Sequence, residues 1–241
     1  MTHFGGKTIF VDPKMYFLCN LGSINNTIIH ECVHWDRHRK AFKLEQLFNQ
    51  ETSCIRCEVV VGAATGISQK STDFMERQAN QLAPRIQMPR EPFTVKVKEY
   101  ITSYMCQLGT KHKIDVMEQV IEMLVVDFGV YRQAAKIRLI EQDFESVIGT
   151  FIYVDGHYVR PHSFRKGAIE IYQTYTISNL DAAIQRFANL ELREKTSNGD
   201  YLFVDNHYVY NAPLYVGQDS NSNLELTGYA RSHMDECCLC F

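Results

Sequence analysis

The hydrophobic pattern of the chain changes period once, near residue 150, so no single class of secondary structure suits the whole of it. Before that point apolar residues recur at three- and four-residue intervals, the repeat of an α-helix. After it come β-rich runs, Thr150-Phe151-Ile152-Tyr153-Val154 and His157-Tyr158-Val159, joined by Asp155-Gly156, a dipeptide suited to a tight hairpin. The pattern predicts an α+β chain: a mainly helical core with a short sheet over residues 1–148, then a β-hairpin-rich region over 149–241. A length of 241 residues accommodates both.

Within the first part, Thr8 to Val11 reads as a short strand stopped by Asp12-Pro13. After Gly22-Ser23, a pair suited to capping, the positions Ile24, Ile28, Cys32, Trp35, Phe42, Leu44, Leu47 and Phe48 predict one long helix or two in series over about 24–48. Gln50 to Lys70 reads as a connecting loop containing a strand at Cys57 to Val61. Ser71, Thr72 and Asp73 offer N-caps for a helix over about 73–86, and further helices are expected over Thr94 to Cys106, Ile114 to Val126 and Arg132 to Gln142. In the second part, Val204-Asp205-Asn206-His207-Tyr208-Val209 repeats Val154-Asp155-Gly156-His157-Tyr158-Val159 almost letter for letter. Two similar hairpins flanking a helix at about Leu180 to Lys195 are expected, with His157 and His207 as exposed hairpin imidazoles rather than ligands.

Composition removes several function classes. With 45% hydrophobic and 12% aromatic residues the chain can bury a core, which excludes a disordered polypeptide. A balance of 25 basic against 28 acidic residues gives no general positive field, so nucleic acid is not an expected partner. The outline of a helix-turn-helix over Val116 to Phe144 is interspersed with Glu118, Glu122, Asp127 and Glu141 and reads better as a packed helical hairpin. The greasiest stretch, Val120 to Val130, is interrupted by Glu122 and Asp127, so no membrane span is expected. Met1 to Lys7 has no apolar export signal, and the eight cysteines then read as reduced thiols of a cytoplasmic protein. Cys54-x-x-Cys57 and Cys237-Cys238-x-Cys240 lack the paired spacing of a thiolate zinc site.

His30-Glu31-Cys32-Val33-His34 is an H-E-x-x-H motif. On a helix, imidazoles at i and i+4 project from one face, one turn apart, and two ring nitrogens can meet one zinc ion. Glu31 then stands beside the metal as a base for an attacking water and as the carrier of its proton to a leaving amine. His38 extends the series, but its Cα lies about 12 Å along the axis from that of His30, too far for both to hold one ion, and it reads instead as a residue behind the ligands or at the surface. The longer metzincin pattern is excluded, because it requires Gly and His where this chain has Asp36 and Lys40. For a third ligand the spacing offers Glu76, with Glu45, Glu51 and Glu58 as competitors, and does not choose among them. One turn past Glu76, Asn80 could accept the other ring N–H of a metal-bound histidine.

Thr27-Ile28-Ile29-His30-Glu31-Cys32-Val33-His34, followed by Glu76-Arg77-Gln78-Ala79-Asn80-Gln81-Leu82-Ala83 and Met88-Pro89, resembles the ImmA/IrrE family of zinc metallopeptidases. That family pairs H-E-x-x-H with a downstream E-x-x-A-N-x-x-A helix, and the likeness extends over roughly residues 8 to 145. The resemblance implies a zincin-like core, one zinc ion per chain held by His30, His34 and Glu76, and Glu31 as the catalytic base. It also implies an intracellular bacterial endopeptidase with a protein or peptide substrate, such as a helix-turn-helix repressor that it cleaves. The longer link between the two motifs and the β-rich region after 150 lie outside the shared pattern. The rival expectation is a non-catalytic, zinc-containing interaction or DNA-associated regulatory protein. An oxyanion donor is not singled out by the sequence; Arg85, Tyr104 and His112 are available.

Overall fold

The computed structural model describes residues 2–3, 8–10, 20–48, 71–170 and 172–241. The expected loop and strand between residues 50 and 70 fall outside them. The chain is α+β, with helices joined by two-stranded antiparallel ribbons. It divides into two compact units, Met1–Lys96 with Met123–Arg138, and Val97–Glu122 with Leu139–Phe241.

The first unit opens with a ribbon of β1 (Thr2–His3) and β2 (Thr8–Ile9). A continuous helical run follows: α1 (Leu21–Val33), one π-helical turn His34–His38, and α2 (Arg39–Phe48). The run begins earlier than Gly22-Ser23 suggests, because Asn20 is the cap and its side-chain oxygen accepts the Ser23 N–H at 2.9 Å. Gly22 has a different use. A Cβ there would fall 2.1 Å from the Val130 carbonyl carbon, so only glycine lets α1 lie against the backbone of residues 130 and 131. Asn25 Nδ2 fixes the same approach by donating to Gly129 O at 2.9 Å.

The second long helix of this unit, α3 (Ser71–Gln87), packs along α1. Met75, Ala79 and Ala83 form its buried stripe at four-residue spacing, and the two alanines are fully buried. Small side chains there permit a close helix–helix approach, since interaxial distance follows the residues at the contact. Beyond α3 the chain turns at Met88-Pro89 into α4 (Arg90–Leu108). Arg138 Nε donates to Met88 O at 3.0 Å and satisfies a carbonyl left over at the end of α3. A 3-10 turn Lys113–Val116 leads to α5 (Met117–Phe128), and Gly129 (φ 58°) separates it from α6 (Arg132–Glu141).

The second unit holds both expected hairpins, β3 (Tyr153–Val154) with β4 (His157–Tyr158), and β5 (Tyr201–Val204) with β6 (His207–Tyr210). Each turns on two residues of positive φ, Asp155-Gly156 and Asp205-Asn206, the backbone of a type I′ turn. Between them stand two helices instead of one, α7 (Asn179–Ala188) and α8 (Leu190–Ser197). The break comes at Asn189, whose side chain caps the second by accepting the Leu192 N–H at 3.1 Å. The unit ends with a ribbon of β7 (Val216–Gln218) and β8 (Leu224–Leu226) and two short helices, α9 (Gly228–Ser232) and α10 (Met234–Cys237).

The two hairpins differ in their cover. The β5–β6 hairpin packs Val204 and Val209 against Leu226, Ala230 and Met234, and Tyr208 against Ile177, Ala182 and Leu192 on the other side. The β3–β4 hairpin leaves Tyr153, His157 and Tyr158 exposed. The expectation of an exposed imidazole therefore holds for His157 and is corrected for His207, which is 1% exposed.

Candidate functional site

The H-E-x-x-H motif lies across the end of α1 and the start of the π-helical turn. His30 and His34 are buried, and their rings meet edge to face with centroids 4.7 Å apart. Their Nε2 atoms are 2.9 Å apart. From α3, Glu76 reaches both: Oε2 lies 3.2 Å from His30 Nε2, and Oε1 lies 3.3 Å from His34 Nε2. The fully buried Ala79 and Ala83 account for this reach, because a bulkier stripe would hold α3 further from α1.

Among the described residues this is the one group of His, Cys, Asp or Glu whose ligand atoms converge on a point that could hold a metal ion. The dimensions suit an ion. Ligands about 2.0–2.1 Å from a tetrahedral centre lie about 3.3 Å from one another. The nitrogens are 2.9 Å apart and lie 3.2 and 3.3 Å from the two different oxygens of Glu76, lengths of that order. Two imidazole nitrogens and a carboxylate oxygen are also the donor set of an open site, in which three protein ligands leave a fourth position to water or substrate. The Glu76 side chain keeps 29% of its surface exposed, so solvent reaches the cluster from the carboxylate side.

Glu31, next to His30 in the chain, is 1% exposed and is not part of the converging group. Of the other candidate third ligands, Glu51, Glu58 and the side chain of Glu45 lie outside what is described. Asn80 is exposed on α3, and no hydrogen bond described here joins it to a ligand histidine. The contact expected of it is made by His38, whose Nδ1 lies 2.9 Å from His34 Nδ1. His38 is 5% exposed, and its Nε2 reaches Gln78 Oε1 at 2.8 Å. Burial lowers the pKa of His38 below the ordinary imidazole value, and the Gln78 hydrogen bond opposes that shift only in part. A histidine at a third consecutive i+4 position was the available sequence signal for this role; nothing in the residue type pointed to Gln78.

Of the available oxyanion donors, His112 stands in the second unit against Gly228, where a Cβ would come within 2.4 Å of its ring. Tyr104 packs near Tyr100, and Arg85 is exposed. The described cysteines, Cys32, Cys106, Cys237, Cys238 and Cys240, form no disulfide. No helix among the described residues is long and apolar enough to cross a membrane. Comparison of the chain with protein-family models, curated proteins and solved structures finds no match.

Proposed function

We propose that the chain is a cytoplasmic, zinc-dependent endopeptidase with a zincin-like core, which hydrolyses a peptide bond of a specific protein partner. The observation that carries this reading is the convergence of His30 Nε2, His34 Nε2 and the Glu76 carboxylate, with Glu31, the residue after His30, buried and outside that group. His30, His34 and Glu76 would hold one zinc ion per chain. Bound there, zinc supplies Lewis acidity, which polarises a carbonyl and brings the pKa of water down to about 7. Glu31 takes one proton from the attacking water as the water oxygen bonds to the carbonyl carbon. As the C–N bond breaks, Glu31 returns that proton to the amine nitrogen, leaving a carboxylic acid and a free amine, and the acid then gives up its proton to solvent.

A purely structural site is usually closed by a fourth protein ligand, and among the described residues three converge here. That weighs against a non-catalytic zinc protein. Of the basic residues of α6, Arg138 is buried and donates to Met88 O, which withdraws it from any DNA-reading face. The family resemblance makes a helix-turn-helix repressor the candidate substrate. The test is to express the chain and its Glu31→Gln variant in a bacterial host and sequence new protein N-termini. A small set of cleavages present with the wild type and missing with Glu31→Gln is expected; identical N-terminal profiles overturn the enzyme reading.

A further inference from the structure

The cluster continues outward along the helical run. His38 Nε2 lies 2.8 Å from Gln78 Oε1, and an amide oxygen can only accept, so the hydrogen in that contact belongs to His38 Nε2. A neutral imidazole carries one N–H, which makes His38 Nδ1 an acceptor. The hydrogen in its 2.9 Å contact with His34 Nδ1 therefore belongs to His34. By the same rule His34 Nε2 is left with a bare lone pair, and that atom is the one 2.9 Å from His30 Nε2 and 3.3 Å from Glu76 Oε1.

We propose that His38 and Gln78 are positioning residues, a relay that fixes the tautomer and ring orientation of His34 so that Nε2 faces the ion with its lone pair free. The proposal rests on the zinc reading above and deepens it. Three observations carry it. His38 is buried although its neighbours Asp36, Arg37, Arg39 and Lys40 are all exposed, so its ring is turned inward for a contact. The π-helical turn spans His34 to His38, and such turns are rare and concentrate at functional sites. The acceptor at the end of the relay sits on α3, the helix that also supplies Glu76, so one pair of packed helices sets both the third ligand and the tautomer of the second. Metal-bound histidines generally depend on such a partner at the other ring nitrogen.

The test uses the full-length chain at one fixed pH. Zinc affinity is measured by chelator competition, and the His34 tautomer is read from the ring 15N shifts of histidine-labelled protein, with and without zinc. His38→Leu and Gln78→Met remove an acceptor and are expected to weaken zinc binding about 10- to 100-fold, whereas His38→Asn and Gln78→Glu keep one and should stay within about threefold of the wild type. In the metal-free protein His34 should carry its hydrogen on Nδ1, and Gln78→Met should shift the population toward Nε2–H. Gln78 lies partly exposed on α3, so its variants keep the fold, which melting of the metal-free proteins checks. The relay is overturned if His38→Asn binds zinc as weakly as His38→Leu, or if Gln78→Met leaves both the affinity and the His34 tautomer unchanged. A wild type that binds no zinc yet shows the Nδ1–H tautomer overturns the zinc reading and leaves the hydrogen-bond relay standing.

Discussion

In the first compact unit, stacked imidazoles end on the carboxylate of Glu76; in the second, His162 and His207 close on the hydroxyl of Thr176. Both groups are buried, and both pair their rings edge to face, 4.7 Å apart for His30 and His34 and 4.8 Å for His162 and His207. They differ in where the lone pairs go. His162 Nδ1 donates to Arg160 O at 3.2 Å, so its Nε2 is an acceptor, 3.3 Å from Thr176 Oγ1. That hydroxyl has one hydrogen, which it gives to His162, and it accepts from His207 Nε2 at 2.9 Å. The Nε2 atoms of this pair thus both engage a neutral hydroxyl, and among the described residues no carboxylate or thiolate completes a metal-binding group with them. His34 Nε2, by contrast, presents its lone pair next to His30 Nε2 and the anionic oxygens of Glu76, a setting that could hold a cation. Burial and edge-to-face rings are common to both groups; the partners of the ring nitrogens are not.

The largest effect expected from that difference concerns chemistry at the open cluster. Glu31→Gln should lower peptide hydrolysis about 10²- to 10⁴-fold, the range of a general base, while zinc content is unchanged. Steady-state cleavage of the partner identified by N-terminal sequencing, set beside metal analysis, checks both halves of that statement. Loss of zinc together with activity would turn Glu31 from a base into a ligand.

The closed cluster should reveal itself through acid. Burial, and next the neighbouring His162, push His207 down to about 3 from an ordinary 6.5. Its folded pKa lies below its unfolded one, so the unfolded chain binds the proton more readily between those values. The stability held in the neutral ring is complete above pH 6.5 and is lost as the pH falls toward 3. The loss is on the order of a few kcal/mol. Urea unfolding of the wild type and of His207→Gln at neutral and mildly acid pH isolates it, because the variant should lose less stability on acidification. Equal losses would mean that His207 does not titrate across unfolding.

Between these lies the packing that brings Glu76 to the histidines. Ala79→Leu overfills the α1–α3 contact and should cost about 1–3 kcal/mol, with weaker zinc binding, whereas the same change at an exposed position of α3 should do neither. Calorimetric melting with and without zinc separates the two effects. The smallest effect belongs to Asn80, an exposed residue: Asn80→Ala should stay within about 0.5 kcal/mol in stability and leave zinc affinity as it is. A clear loss of zinc in that variant would return Asn80 to the role its spacing first suggested.

These outcomes bear on what the amino-acid sequence discloses. The convergence of His30 and His34 is legible because it depends on spacing within one helix, and spacing is local. Glu76 is legible only through the pattern around it, and the buried Ala79 and Ala83 give that pattern its physical sense. The hairpins were legible from turn residues, since Asp-Gly and Asp-Asn supply the positive φ values that a two-residue turn needs. What was not legible depends on partners distant in sequence. His207 matches His157 almost letter for letter in context, yet only His207 meets Thr176 and His162 beneath a covered hairpin. His38 reads from spacing as a residue behind the ligands or at the surface, and only the structure decides for the first, with its buried ring against His34. The break at Asn189 and the cap at Asn20 were missed for a simpler reason: asparagine caps helices as well as serine, and Asn189 occurs inside a run that otherwise reads as continuous.

The most direct test of the central contrast is metal content by mass spectrometry on protein purified with zinc present, for the wild type, for His30→Ala with His34→Ala, and for His207→Gln. The account predicts one zinc per chain in the wild type and in His207→Gln, and none in the His30→Ala, His34→Ala chain. One zinc per chain retained by that double variant, or lost from folded His207→Gln, would contradict it.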